Sequence, residues 1–178
     1  VGKTTLAAAL ARDDGAEVLA EIVGEPPPHH DAARWFVEQD VARWHQARAL
    51  AREAPLVILD GDPFKGLWYT WIFAADGWPS VEANAALYRK HVRHGTLAFP
   101  DLYVVLAASE AQLRQRRAGD ATRGRRSFEK HLALVEPQRR YFTAMHDAAP
   151  GRVLFLDSTR QDTLPRAVNA AVTALGAD

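Results

Sequence analysis

Three residues at the start of the chain, Gly2-Lys3-Thr4, reproduce the last three positions of the phosphate-binding loop G-x-x-x-x-G-K-[ST]. Each type has a task in that chemistry. The glycine lets the backbone approach an oxygen, and the N–H groups that open the following helix, including that of Thr5, face an anion. The lysine reaches the β- and γ-phosphates, and the Thr4 hydroxyl ligates Mg²⁺. A second acidic site fits the same chemistry. In VILDGDP an apolar run ends at Asp60, where a strand-tip carboxylate holds Mg²⁺ or its waters. Asp62 follows two residues later, on the same side of an extended chain.

The third group is basic. Between Gln112 and Arg140 nine Lys and Arg side chains stand against three acids. Arg114, Arg116 and Arg117 lie before the flexible step Ala118-Gly119-Asp120-Ala121, and Arg123 and Arg125 lie after it. A solvated face or an RNA-binding patch would also give such a run. No aromatic is interleaved before Phe128, however, and helix, arginine-rich loop, helix is the pattern of a lid that closes over nucleotide phosphates, about residues 114–130.

These groups need a scaffold that presents them from strand ends. Helical periodicity covers Thr4 to Arg12 and Ala32 to Arg52, where Val37, Val41 and Trp44 recur on one face. Extended runs are EVLAEIV (17–23), LVILD (56–60), LYVVLA (102–107) and RVLFLD (152–157). Ser109 and Gln112 have the spacing of a capping box, and Asp162 with Pro165 opens a terminal helix. Strands with continuous apolar cores alternating with helices imply an α/β fold around a parallel sheet covered on both faces, with ligands at the strands' C-terminal ends. A loop of this type also follows directly on a strand, so an N-terminal strand and the first half of the loop, on the order of ten residues, are expected upstream of residue 1.

Composition agrees with one globular unit. The 178 residues are 48% hydrophobic, and 22 Lys and Arg balance 22 Asp and Glu, which points away from long nucleic acid or a membrane surface as the main partner. There is no cysteine, so disulfides and thiolate metal sites are excluded and a cytoplasmic location is expected. No apolar run reaches the ~18 residues of a spanning helix. His29-His30 and the pair His91 and His94 lack a carboxylate at ligand spacing, which argues against zinc. Neither Asn-Lys-x-Asp nor Leu-Ser-Gly-Gly occurs, against a GTPase switch or a transporter ATPase.

The succession VGKTT, EVLAEIVGEP, VILDGDP, LYVVLAASEAQLRQRRAGD and FEKHLALVEPQRRYF resembles the deoxynucleoside kinase and thymidylate kinase branch of P-loop kinases over most of the chain. The resemblance implies a single P-loop domain over 1–178, a three-layer α/β/α sandwich with an arginine-rich helical lid. ATP and Mg²⁺ are the implied cofactors and a small hydroxyl-bearing molecule, nucleoside- or nucleotide-like, the acceptor; a homodimer stays possible. The Glu-Pro step carries over the base that takes the acceptor's proton, which assigns it to Glu25. A glutamine on the preceding helix reads the base in that branch, which points to Gln39, near Trp35 and Phe36. Trp68, Tyr69 and Trp71 fit either core packing or a ring-binding wall. Those kinases carry an arginine beside the acid of the third strand, where this chain has Asp60-Gly61-Asp62. The chain is also similar to chloramphenicol phosphotransferases, in which an aspartate near this strand acts as base, a role that would fall to Asp62. A P-loop ATPase or a nucleotide-binding regulator without transfer is the competing class.

Overall fold

The computed structural model describes residues 2–22, 24–27, 31–73, 79–118 and 128–176, with the side chains of 71–73, 130 and 131 outside that description. Arg123 and Arg125 lie outside it. The described chain divides into two compact units, one running over Ala7–Pro100 and one combining the start of the chain up to Leu6 with Asp101 onward.

In Ala7–Pro100, β1 (Glu17–Leu19) pairs in parallel with β2 (Val57–Leu59), Glu17 opposite Val57 and Leu19 opposite Leu59. The crossover between them is α2 (Ala32–Leu50), whose N-cap Asp31 accepts from the Arg34 N–H at 3.2 Å. Its apolar stripe settles into the core as its spacing requires. Val37 is buried with Phe64, Tyr88 and Leu97, and Val41 and Trp44 pack against them. Phe64 precedes α3 (Lys65–Phe73), and Tyr88 lies on α4 (Val81–Arg93), capped by Ser80. Buried Asn84 of α4 donates from Nδ2 to the Gly66 carbonyl at 2.8 Å, tying α4 to α3. His91 Nδ1 lies 3.0 Å from Thr96 Oγ1 at the end of α4, a local structural partner.

In the other unit, β3 (Tyr103–Ala107) pairs in parallel with β4 (Val153–Asp157), from Tyr103 opposite Val153 to Ala107 opposite Asp157. Between them run α5 (Glu110–Ala118), α6 (Phe128–Ala133) and α7 (Val135–Ala148). Tyr103, Phe142 and Val153 form the core there, backed by Tyr141 and Met145. The capping box closes as its spacing predicts: Ser109 Oγ accepts from the Gln112 N–H at 3.2 Å, and Gln112 Oε1 accepts from the Ser109 N–H at 2.7 Å. The last helix, α8 (Leu164–Leu175), has Pro165 in its first turn, but its N-cap is Thr163, one residue beyond the expected Asp162.

The strands are shorter than the apolar runs that announce them. β1 stops at Leu19, so Glu21 and Ile22 lie beyond the ladder. Among the described residues no helix is long and apolar enough to cross a membrane.

Candidate functional site

The helix α1 (Lys3–Asp14) opens directly on the Gly-Lys-Thr residues. Gly2 has φ +79°, a left-handed conformation that favours glycine, and its carbonyl accepts the Leu6 N–H at 2.9 Å, the first bond of the helical ladder. Lys3, Thr4 and Thr5 are exposed in the first turn. The N–H groups of a helix's first turn point out of its N-terminus, the geometry that receives an anion.

In the same unit the arginines of α5 have distinct partners. Arg116 donates from Nη2 to the Ser158 carbonyl at 3.0 Å and from Nη1 to Ser158 Oγ at 3.2 Å, holding α5 to the turn after β4. Ser158 is 1% exposed, so removing the guanidinium strands a buried carbonyl. Arg116→Met is therefore expected to cost about 1–3 kcal/mol in a denaturant melt, whatever it does to turnover. Arg114 forks onto Glu129 at 3.0 and 3.2 Å and also reaches Glu110. Arg117 bonds Glu129 at 3.3 Å and lies 4.5 Å above the Phe128 ring. These last two are exposed ion pairs, worth little in water and readily exchanged for an anionic ligand.

In Ala7–Pro100 a cavity of about 110 Å³ opens where β1 and β2 end. One water needs ~10–15 Å³ by this measure, so the space admits an organic fragment. From the β1 end come Glu21 and Ile22, from α2 Phe36, Asp40 and Arg43, and from the turn after β2 and the start of α3 Gly61, Asp62, Lys65 and Tyr69. Lys65 Nζ donates to Glu21 Oε1 at 2.5 Å and sits 4.7 Å over the Tyr69 ring. Burial works against the Lys65 charge, but Tyr69 and Glu21 outweigh it and hold its pKa above the ordinary lysine value. Gly61 has φ +120°, and a Cβ there would come 3.2 Å from Glu21 Cγ, so glycine is needed both for the backbone and for the space that Glu21 occupies.

Asp62 is engaged on both oxygens: Oδ1 accepts the Phe64 N–H at 2.8 Å and Oδ2 the Trp68 indole N–H at 2.9 Å. Burial raises its pKa to about 6, against those two bonds and the charges of Lys65 and Arg43. Burial likewise raises Asp40 to about 7, opposed by Arg43 and reinforced by Asp62. The linkage sign follows. With Asp40 at 3.8 in the unfolded chain and about 7 in the folded one, the native state holds the extra proton across that window. Stability from this group falls as pH rises from 3.8 to about 7 and is level above it. Asp40→Asn should flatten the pH dependence of the melting temperature over that range relative to the parent chain.

The positions read from the sequence fall unevenly on this geometry. Asp62 and Tyr69 line the cavity, and Trp68 is buried behind it as the partner of Asp62. Asp60, half-buried at the β2 end, donates its N–H to the Leu19 carbonyl at 2.8 Å and is not among the lining residues. Glu25 is exposed and outside the lining, whereas Glu21, four residues earlier, is inside it. Gln39 is also outside. The phase of α2 brings Phe36, Asp40 and Arg43 to the cavity, one residue away from the glutamine. The side chain of Trp71 is outside the described residues. Glu21 and Lys65 are not singled out by the sequence, since Glu21 lies inside the extended run 17–23 and Lys65 is a lone lysine 44 residues away.

Among the described residues no three His, Cys, Asp or Glu side chains are grouped closely enough to hold a metal ion. No protein-family model matches the chain, and no curated protein matches it in sequence. Its fold is similar to that of a deoxyadenosine kinase from M. mycoides, solved with the products dCMP and a flexible dCDP bound, with a TM-score of 0.61 at 14% identity over 97% of this chain and 94% of that one.

Proposed function

We propose that the protein is a small-molecule kinase of the nucleoside kinase type, moving the γ-phosphoryl group of ATP to a hydroxyl of an acceptor held in the β1–β2 cavity. The observation that carries this reading is the cavity itself, with a carboxylate and an ammonium paired at its mouth (Glu21 and Lys65), in a chain whose first helix opens on Gly-Lys-Thr. The similarity in fold to a deoxyadenosine kinase supports it.

In this reading Gly2, Lys3 and the first N–H groups of α1 bind the donor's phosphates, and the Thr4 hydroxyl would ligate Mg²⁺, which supplies charge neutralisation on the phosphates when bound. Glu21 orients the acceptor hydroxyl and takes its proton as the new O–P bond forms and the bond from the γ-phosphorus to the bridging oxygen of ADP breaks. Lys65 fixes the Glu21 carboxylate through their short contact and offers its remaining protons to the acceptor oxygen. Asp62 positions α3 through Phe64 and Trp68, and its raised pKa makes it the rival for the base. Arg114 and Arg117 exchange Glu129 for phosphate.

The test is incubation of the protein with ATP-Mg²⁺ and a panel of nucleosides, nucleotides and hydroxylated antibiotics, reading ADP release and product mass. ADP release that depends on an acceptor, with a product heavier by one phosphoryl group, is the expected result. ADP release with no phosphorylated product points to an ATPase, and neither to a nucleotide-binding regulator.

A further inference from the structure

Glu129, in the first turn of α6, receives two guanidinium groups at once. Its Oε1 accepts from Arg114 Nη1 at 3.0 Å and from Arg117 Nη1 at 3.3 Å, and its Oε2 accepts from Arg114 Nη2 at 3.2 Å. The two arginines stand three residues apart on α5, where like charges on one helix face repel, and the shared carboxylate offsets that repulsion. Arg114 Nε is engaged as well, by Glu110 one turn back at 2.9 Å, so every nitrogen of that guanidinium already faces a carboxylate. Arg116, between them, is held by the uncharged Ser158 and takes no part.

The same two arginines, with Ala118 and Phe128, line an open pocket of about 330 Å³, and the Arg117 guanidinium lies 4.5 Å from the centre of the buried Phe128 ring. No acid is among these lining residues. The pocket therefore presents two cations whose donors are engaged by an acid outside it. A carboxylate and a phosphate offer a guanidinium the same edge of two oxygens, and the phosphate carries more charge. The Glu129 side chain is 63% exposed, Arg114 50% and Arg117 47%, so water screens each bond and none is strong. Such bonds compete with a phosphate without shutting it out.

We propose that Glu129 is an internal competitor for the nucleotide's phosphates: in the empty protein its carboxylate occupies Arg114 and Arg117, and the nucleotide binds there by displacing it. The role deepens the kinase reading and rests on it, since it needs a nucleotide at these arginines. The competition sets nucleotide affinity below what the arginines alone would give. It also acts after transfer, when Glu129 is at hand to retake both guanidinium groups from the diphosphate and so to speed product release.

The experiment is calorimetry on the full chain with ATP-Mg²⁺, ADP-Mg²⁺ and inorganic tripolyphosphate as probes. Glu129→Gln removes the charge and keeps the size of the side chain, and is expected to tighten all three by about 2–5-fold, the range that corresponds to an exposed pair. Glu136→Gln is the matched control. Glu136 is likewise exposed and pairs with Arg139 and Arg140 on its own helix, so its loss changes the net charge equally and should leave all three affinities within error of the parent. In a chain carrying Arg114→Met and Arg117→Met the gain from Glu129→Gln should vanish. Unchanged or weaker binding by Glu129→Gln, an equal gain from Glu136→Gln, a gain that persists without the two arginines, or no binding of any probe overturns the proposal. The acceptor screen separates it from the kinase reading. Tightening without any phosphorylated product sinks the kinase reading and keeps the competitor, whereas product formation with no tightening in Glu129→Gln keeps the kinase reading and removes the competitor.

Discussion

Glu21→Gln is expected to lower kcat by about 10²–10⁴-fold with ATP affinity nearly unchanged, the range typical of removing a general base in hydrogen-bond reach of the reacting proton. The amide keeps the size of the side chain and an oxygen for Lys65, so the cavity should retain its shape. Glu25→Gln is the matched control. That side chain is exposed and outside the cavity, and its loss should leave kcat within a few-fold of the parent. Asp62→Asn should act through folding as well as turnover, because an amide offers one acceptor where the Phe64 N–H and the Trp68 indole need two. Initial-rate kinetics on the three variants, each checked by thermal melting, distinguish the cases. Near-normal kcat for Glu21→Gln, together with loss of turnover in a folded Asp62→Asn, would move the base to the end of β2.

Phe64→Ala is expected to destabilise the Ala7–Pro100 unit by about 3–5 kcal/mol, the cost of removing a large buried ring and leaving its cavity. Phe64 is 1% exposed, stacks on Phe99 at 4.3 Å between centroids and contacts Tyr88 at 5.3 Å. Those contacts join the residues before α3 to α4 and to the segment that follows it. All five tryptophans lie between Trp35 and Trp78, so intrinsic fluorescence during urea unfolding reports on this unit. A midpoint unchanged within error would mean that the ring is not a core element. Because the Phe64 N–H is held by Asp62, the variant should also raise the KM for the acceptor under conditions where it remains folded.

The elements were easier to read than the site, for a physical reason. Runs such as YVVLA and VLFL are apolar without interruption, and both pair as parallel strands, although Phe155 stays 39% exposed. Helix α2 showed its phase through Val37, Val41 and Trp44, and the Ser109 and Gln112 spacing has one good use. The site depends on where strands stop. EVLAEIV reads as one extended run, yet only Glu17–Leu19 pairs, and that early stop places Glu21 in the cavity and leaves Glu25 in solvent. Asp40 and Arg43 gave no warning either. Charged residues one turn apart on a helix usually mark a wet face, and only the packing of α2 against its neighbours shows these two to be buried. Lys65 was invisible as the partner of Glu21 because the two are distant in sequence and meet only when β1 and β2 pair.

The parallel ladders impose an order on how the chain acquires its structure. Glu17 must find Val57 and Tyr103 must find Val153, so each ladder closes a loop of dozens of residues before its hydrogen bonds return anything. Non-local pairing of this kind slows folding relative to helical bundles of equal length. During synthesis the two ladders are not equivalent. The Ala7–Pro100 unit is contiguous in sequence and can close its ladder once Pro100 clears the ribosome, whereas the unit containing β3 and β4 combines residues up to Leu6 with Asp101 onward and waits for β4. The cavity at the β1–β2 ends should therefore form on the nascent chain before the β3–β4 ladder closes, and a ligand bound there at that stage would act as a folding aid.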